Sequence, residues 1–487
     1  MSDTTNKKNY ALPIAMMFAL FFMIAFVTGL PSPMGVIAAK QFNATNFESQ
    51  LGFFANFIAY AFMGIPAGLM LKKIGYKKTA LAAIIVGFIG VGIQFLSGKV
   101  ESFPVYLAGA FVSGFSVCML NTVVNPMLNT LGGGGKKGNQ LLQFGGSINS
   151  IGATIAPMLV GWLMGAEAGR TIAKATPALF LAMGIFALAF IVLYFVNIPE
   201  PDMQSNEAGA KKGQKDKYGP MSFRHFILGT VAIFIYVGIE VGIPSTANLF
   251  MTTLTTEQAE VTIAEYEKQQ ADNTYLVTLQ EEDKANFGNE EYTPKVIGQD
   301  TYNKAQKVVN QEVKPGLGIA AGIAGTLVGL YWLLMLVGRL VGASLGNHFS
   351  SKSMLTFVAC LGLILLIGAI FLPTSMGVNV SSLVGSDETV IIPINVIFLI
   401  LCGLCTSVMW GGIFNLAVEG LGKYTAAASG IFMVMVCGGG IIPLIQGYVA
   451  DVAGYLSSYW VMFICVAYLL WYALIGCKNV NKNIPVE

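Results

Sequence analysis

The chain has 487 residues, 55% of them hydrophobic and 11% charged, with a formal net charge of +2 and a mean hydropathy of +0.66. A soluble protein of this length needs far more charge to coat its surface. Many apolar runs exceed the ~18 residues of a spanning helix, and they are continuous rather than alternating, so a β-barrel is excluded with the soluble classes.

The expectation is an all-α polytopic membrane protein with twelve transmembrane helices. The first begins after the lysines of MSDTTNKKNYALPIAMMF and runs to about Ala39 without a cleavage-type end, so it reads as a retained helix. Helices are expected near 11–40, 47–71, 79–98, 103–131, 140–165 and 177–197. A polar linker, 199–222, follows, and six more are expected near 224–250, 317–346, 353–373, 389–417, 423–448 and 457–477. This divides the chain into an N-terminal half, 1–198, the linker, and a C-terminal half, 223–487. Lys7, Lys72, Lys136, Lys211, Lys352 and Lys478 are among seventeen basic residues on one side, against Lys40, Lys99, Arg170 and Lys174 on the other. The positive-inside rule then puts both termini and the linker in the cytoplasm of a multi-pass protein of the cell (inner) membrane.

Helix 1 contains Pro31, Ser32 and Pro33, which should break it in its outer half. Helix 4 carries Asn121, Asn125 and Asn129 at i, i+4 and i+8, one face of a helix. GGGGKKGN at 132–139 lacks the Lys-Ser or Lys-Thr of a phosphate loop and reads as a flexible turn. Helix 5 carries Gln143, Ser147 and Ser150, with Asn149 beside them. Glu240 is the one charge in the run 226–250 of helix 7. Residues 251–316, with twelve acids against six lysines, form an extracytoplasmic insertion, read either as a cap over the outer mouth or as a solvated segment without function. Helix 10 supplies Thr406, Trp410 and Asn415, and helix 11 supplies Gln446. Gly152, Pro157 and Gly161 of helix 5 recur as Gly438, Pro443 and Gly447 of helix 11, 286 residues later, which argues for duplicated halves.

Polar side chains in spanning helices face a cavity or another helix, because lipid cannot satisfy them. The expected substrate-binding set is Asn121, Asn125, Gln143, Ser147, Asn149, Glu240, Thr406, Trp410 and Asn415. Neutral amides, hydroxyls and aromatic faces suit a polyhydroxylated solute. An anion would need a mid-membrane Lys or Arg, and Arg339 reads as near the cytoplasmic end of helix 8. Glu240 then lacks a basic neighbour and is expected either to couple H+ or Na+ movement or to accept hydrogen bonds from substrate hydroxyls. Cys402 and Cys405 form a C-x-x-C without a second pair, and His225 and His348 are the only histidines, so neither a metal site nor an enzyme is expected.

The segments PAGLMLKKIGYK (66–77), NTVVNPMLNTLG (121–132), NSIGATIAP (149–157), YVGIEVGI (236–243), YWLLMLVGRLVG (331–342), FNLAVEGLG (414–422) and GGGIIPLIQGYVAD (438–451) resemble the major facilitator superfamily. Within it the chain is similar to the fucose/glucose/galactose permeases, nearest the glucose/galactose branch. The resemblance implies two six-helix halves and ion-driven sugar uptake by alternating access. The chain departs from the family's pattern at Pro31 and Ser32 (an Asn-Asp pair), at Asn121 (a Glu in the fucose branch), at Gly146 (a Gln), at Thr406 (an Asn) and at Gly411 (a Pro). The reading is a secondary active transporter, with a sugar-like solute and the bilayer as partners, no nucleic acid, no bound cofactor, and a monomeric state. The alternatives are a facilitator or exporter of another neutral solute, such as a nucleoside, and a non-transporting membrane sensor.

Overall fold

Long apolar segments satisfy their backbone groups in a bilayer as helices, and the computed structural model is built of them. It describes residues 10–31, 34, 37, 44–131, 135–164, 172–196, 218–279, 299–345, 348–384, 389–421, 424–481 and 484. The membrane helices are α1 Ala11–Gly29, α2 Leu51–Leu71, α3 Lys73–Lys99, α4 Phe103–Leu131, α5 Gly135–Met164 and α6 Ile172–Phe195. The second set is α7 Arg224–Thr252, α8 Ala321–Leu345, α9 Ser351–Phe371, α10 Ile394–Val418, α11 425–453 and α12 Tyr455–Gly476. Among the described residues, eleven are long and apolar enough to span, while the apolar part of α5, Phe144–Val160, is shorter because its first turns are polar.

Several boundaries differ from expectation for local reasons. Regular helix α1 stops at Gly29, two residues before Pro31, which has no N–H to continue the ladder; Ser32 and Pro33 lie outside the described residues. No loop separates α2 from α3: the helix runs on to Lys99, broken only at Gly75, whose φ of 82° is open to glycine. Residues 135–139, expected as a turn, are the first turns of α5. Helix α8 starts four residues late, because 316–319 pair with the end of α7, Leu317 N–H donating to Phe250 O at 2.9 Å. Helix α10 is split into Ile394–Thr406 and Met409–Val418, and α11 into Thr425–Met435 and Gly438–Ala453.

The repeated motif has a packing meaning. A Cβ on Gly152 would lie 2.5 Å from Phe22 O of α1, and one on Gly438 would overlap Phe234 O of α7. Helix α5 thus sits against α1 as α11 sits against α7, each by a backbone contact that a side chain forbids. The pairs α1–α5 and α7–α11 thus repeat one close packing contact, once in each half.

The bundle has two distinct ends. One carries Lys77, whose Nζ donates to Tyr194 O, and Lys352, whose Nζ donates to Leu474 O. We call this the basic end. The other carries the insertion, which is more ordered than a bare polar loop: helices Thr256–Leu279 and Gln299–Val309 pack through Ala259, Ala305 and Val308, with Tyr266 and Tyr302 stacked at 4.4 Å.

Candidate functional site

Between the halves lies a cavity of about 910 Å³. Its walls come from α1 (Phe21, Ile24, Thr28), α2 (Phe57, Tyr60), α4, α5, α7, α8, α10 and α11, so both copies contribute. It reaches the basic end, where Phe349, Ser351 and exposed Asn415 line it.

The asparagine stripe of α4 faces it, as the i, i+4 spacing requires. Asn121 Nδ2 donates to Tyr60 OH at 2.8 Å, and Asn125 Nδ2 donates to the Asn121 carbonyl at 2.8 Å. These bonds fix each amide in the cavity wall. From α5, Ser147 and Asn149 also line it, Asn149 Nδ2 donating to Phe21 O at 3.2 Å and so holding α5 to α1. Trp410 stands edge-on to Tyr236, ring centroids 6.1 Å apart, and both are in the wall with Trp332 and Phe144. Asn415 Nδ2 donates to Ser351 Oγ at 3.4 Å near the mouth.

Two expectations need correction. Thr406 is not in the wall. It is 1% exposed, its Oγ1 lies 3.1 Å from Tyr331 OH, and it donates back to its own helix at Gly403 O. The break of α10 after Thr406 ends the regular turn there and brings Ser407, Val408 and Trp410 to the cavity. The second correction is larger. Glu240 does have a basic neighbour: Arg339 Nη2 is 3.4 Å from Glu240 Oε1, with each side chain 16% exposed. Arg339 also donates through Nη1 to Gly146 O at 2.6 Å and to Ser150 Oγ at 2.8 Å. Position along α8 placed its Cα toward the basic end, but the side chain reaches into the cavity. The Gln143 side chain lies outside the described residues. Gln446 is fully buried and takes no part in the wall.

The opposite end is closed by contacts between the halves. The short helix Asn46–Ser49 leads into α2, and its first N–H groups meet the carboxylate of Asp451 at the end of α11. Asn46 N–H donates to Oδ1 and Phe47 N–H to Oδ2, both at 2.8 Å. A capping box of Thr45 and Glu48 takes up a further helix-start N–H. Tyr455 OH donates to Asn46 Oδ1 at 2.8 Å, and Gln50 Nε2 to Thr246 Oγ1 at 3.4 Å. Helix α2 can lie this close because α11 presents glycine: a Cβ on Gly440 would be 2.7 Å from Phe54 Cα.

Arg339, Tyr60, Tyr236 and Asp451 were absent from the expected set. The signal for Arg339 was its presence in a spanning helix at all, and for Asp451 its place at the end of QGYVAD, 446–451. Among the described residues, no group of three His, Cys, Asp or Glu is placed to hold a metal ion.

The sequence pattern of the Major Facilitator Superfamily matches residues 16–264, just over half of the chain. A glucose/galactose transporter of Brucella abortus biovar 1 (strain 9-941) is 27% identical over 481 residues, covering 98% of this chain and 97% of that protein. The L-fucose-proton symporter of Escherichia coli (strain K12) is 22% identical over 477 residues, covering 94% and 91%. In shape, the chain is similar to the transporter FucP in the outward conformation, with a TM-score of 0.59 at 18% identity over 96% of this chain and all of that one. It is also similar to the nucleoside transporter NupG, with a TM-score of 0.53 at 13% identity over 96% and 98%.

Proposed function

The chain belongs to the Major Facilitator Superfamily, and from that premise we propose that it is a secondary transporter of a neutral sugar or similar polyhydroxylated solute. The single observation that carries this is the wall of the cavity. It offers amides and hydroxyls from Asn121, Asn125, Ser147 and Asn149, aromatic faces from Trp410 and Tyr236, and one charge pair, Glu240 with Arg339, that cancels itself. A cavity with no net charge among the described residues of its wall suits a neutral solute. Amides and hydroxyls exchange hydrogen bonds with sugar hydroxyls, while apolar ring faces cover sugar C–H surfaces. Relatives that span nearly the whole chain carry names for glucose, galactose and L-fucose.

The mechanism is alternating access in the cell membrane with both termini cytoplasmic. In that orientation the cavity opens inward, and the contacts of Asp451, Tyr455 and Gln50 close the outside. Solute in the cavity is released inward; when the halves rock, those contacts part and the basic end closes. Transport is coupled to an ion at Glu240. In the inward state Arg339 pairs with one oxygen of the carboxylate at 3.4 Å, and in the return step a proton or sodium ion takes its place. The insertion helices Thr256–Leu279 and Gln299–Val309 lie at the closed end and have no part in binding.

Equilibrium binding tests the reading. Trp332 and Trp410 are in the wall, so their fluorescence should change saturably with glucose, galactose or L-fucose. Asn125→Ala should weaken that binding about tenfold, the cost of an unpaired hydroxyl of the sugar. A fluorescence response to nucleosides but to none of the sugars would move the substrate class.

A further inference from the structure

Arg339 belongs to the C-terminal half, yet its two shortest hydrogen bonds go to the N-terminal half. Nη1 lies 2.6 Å from Gly146 O and 2.8 Å from Ser150 Oγ, while Nη2 is 3.4 Å from Glu240 of its own half. We propose that Arg339 is a positioning residue for transport, one guanidinium that ties the charge on Glu240 to helix α5 and so transmits a change at Glu240 to the opposite half. The inference rests on the transporter reading above.

An arginine inside a bilayer goes where acceptors are, because an unpaired charge there is costly. Here the acceptors form two sets on opposite sides of the seam. The α5 set is compact: Ser150 Oγ also donates to Gly146 O, at 3.2 Å, so carbonyl and hydroxyl sit together under one nitrogen. Gly146 keeps that carbonyl open. Even a Cβ there would stand 3.7 Å from Nη1, whereas a longer side chain would occupy the guanidinium's place. The planar fork of arginine serves both sets at once, which a lysine ammonium cannot do in the same way.

The distances are unequal: α5 holds the guanidinium more closely than Glu240 does. With the cavity open at the basic end, the guanidinium is docked on α5 and Glu240 is held loosely. The carboxylate keeps acceptor capacity for a solute hydroxyl. A solute or ion that occupies Glu240 removes the pull on Nη2. Its departure restores that pull, and the guanidinium then divides its charge between Glu240 and α5. The same helix carries Ser147 and Asn149 in the wall, so a shift of α5 is felt where the solute binds. Neither Gly146 O nor Ser150 needs to touch solute for this. Ser150 is 1% exposed and does not line the cavity.

The test uses the full-length protein in proteoliposomes, with glucose, galactose and L-fucose as probes. Ser150→Ala should leave the affinity for the bound sugar within about twofold of the parent and slow net transport about tenfold, the usual effect of losing a hydrogen bond to a charged group. Arg339→Lys should slow it further. In the double variant Ser150→Ala/Glu240→Gln, the loss should be no greater than that of the slower single variant, because one relay cannot be cut twice. A purely structural role for Ser150 predicts something else: lower thermal stability and weaker binding in step with the rate. Should Arg339→Lys fail to fold, Ser150→Ala and the double variant still decide. Transport by the parent together with parent-like rates in Ser150→Ala overturns the inference. So does a double variant whose loss is the product of the two singles. If the parent itself neither binds nor moves any sugar, it is the transporter reading that fails.

Discussion

Asp451→Asn should open the closed end. The wild-type carboxylate accepts two backbone N–H bonds, each 2.8 Å, from the first residues of the helix leading into α2. Both bonds cross between the halves, and both need an oxygen. Asparagine keeps one oxygen and turns an NH₂ toward the second N–H, so one bond is lost and two donors face each other. Hydrogen bonds to a charged group are worth about 1.5–3 kcal/mol each, so the variant should lose about 2–3 kcal/mol of closure. That is a shift of roughly 30- to 150-fold in the ratio of closed to open forms. Tyr455 to Asn46 and Gln50 to Thr246 remain, so the protein should still fold and close part of the time. The assay is a distance distribution between spin labels at Glu101→Cys and Ser457→Cys, both exposed positions at that end, with exposed Cys360 replaced. The parent should give one short distance, and Asp451→Asn should add a longer population. A variant whose distribution matches the parent's would refute the view that this carboxylate latches the two halves.

Three further outcomes follow from the same geometry. Gly440→Ala places a Cβ 2.7 Å from Phe54 Cα across the seam and should shift the label distances as Asp451→Asn does, at a cost of about 1–3 kcal/mol of closure; Gly68→Ala, with nothing within 4 Å, should not. Glu240→Gln should retain exchange of sugar across the membrane but lose accumulation against a gradient, measured in proteoliposomes with and without an ion gradient; accumulation at the parent's level would free Glu240 of the coupling role. Replacing residues 256–313 by a short Gly/Ser segment should preserve membrane expression and sugar binding, because the return at Gly316–Ile319, hydrogen-bonded to the end of α7, is left intact. Loss of expression would show the insertion to be part of the folding unit.

What was legible in the sequence follows from which physical constraint was local. The helices were, since a backbone in lipid has few other ways to satisfy itself, and the Gly-Pro-Gly repeat announced two copies that do pack alike at Gly152 and Gly438. Asn121 and Asn125 were legible because i, i+4 spacing fixes one face wherever that face points. Arg339 was misread because a residue was located by its Cα. It is six residues before the end of α8, about 9 Å along the axis at about 1.5 Å per residue, and the length of its side chain carries the charge back to Glu240. Thr406 was misplaced because the break in α10 after it is set by packing against α8, which no spacing within α10 records. Asp451 was absent from the expected site because nothing near it in the sequence names a partner. Its partners, Asn46 and Phe47, are some four hundred residues away in sequence, and only the fold brings them together.

The central claim, movement of a neutral sugar, is tested most directly by uptake into proteoliposomes of the purified full-length protein. Radiolabelled glucose, galactose and L-fucose would each be offered with an inward proton gradient, an inward sodium gradient, or neither. Saturable uptake of at least one of them is expected, raised above the external concentration by one of the two gradients and inhibited by the unlabelled sugar. Uptake no faster than in protein-free vesicles for all three sugars under every gradient, by protein that elutes as a folded species, would contradict it.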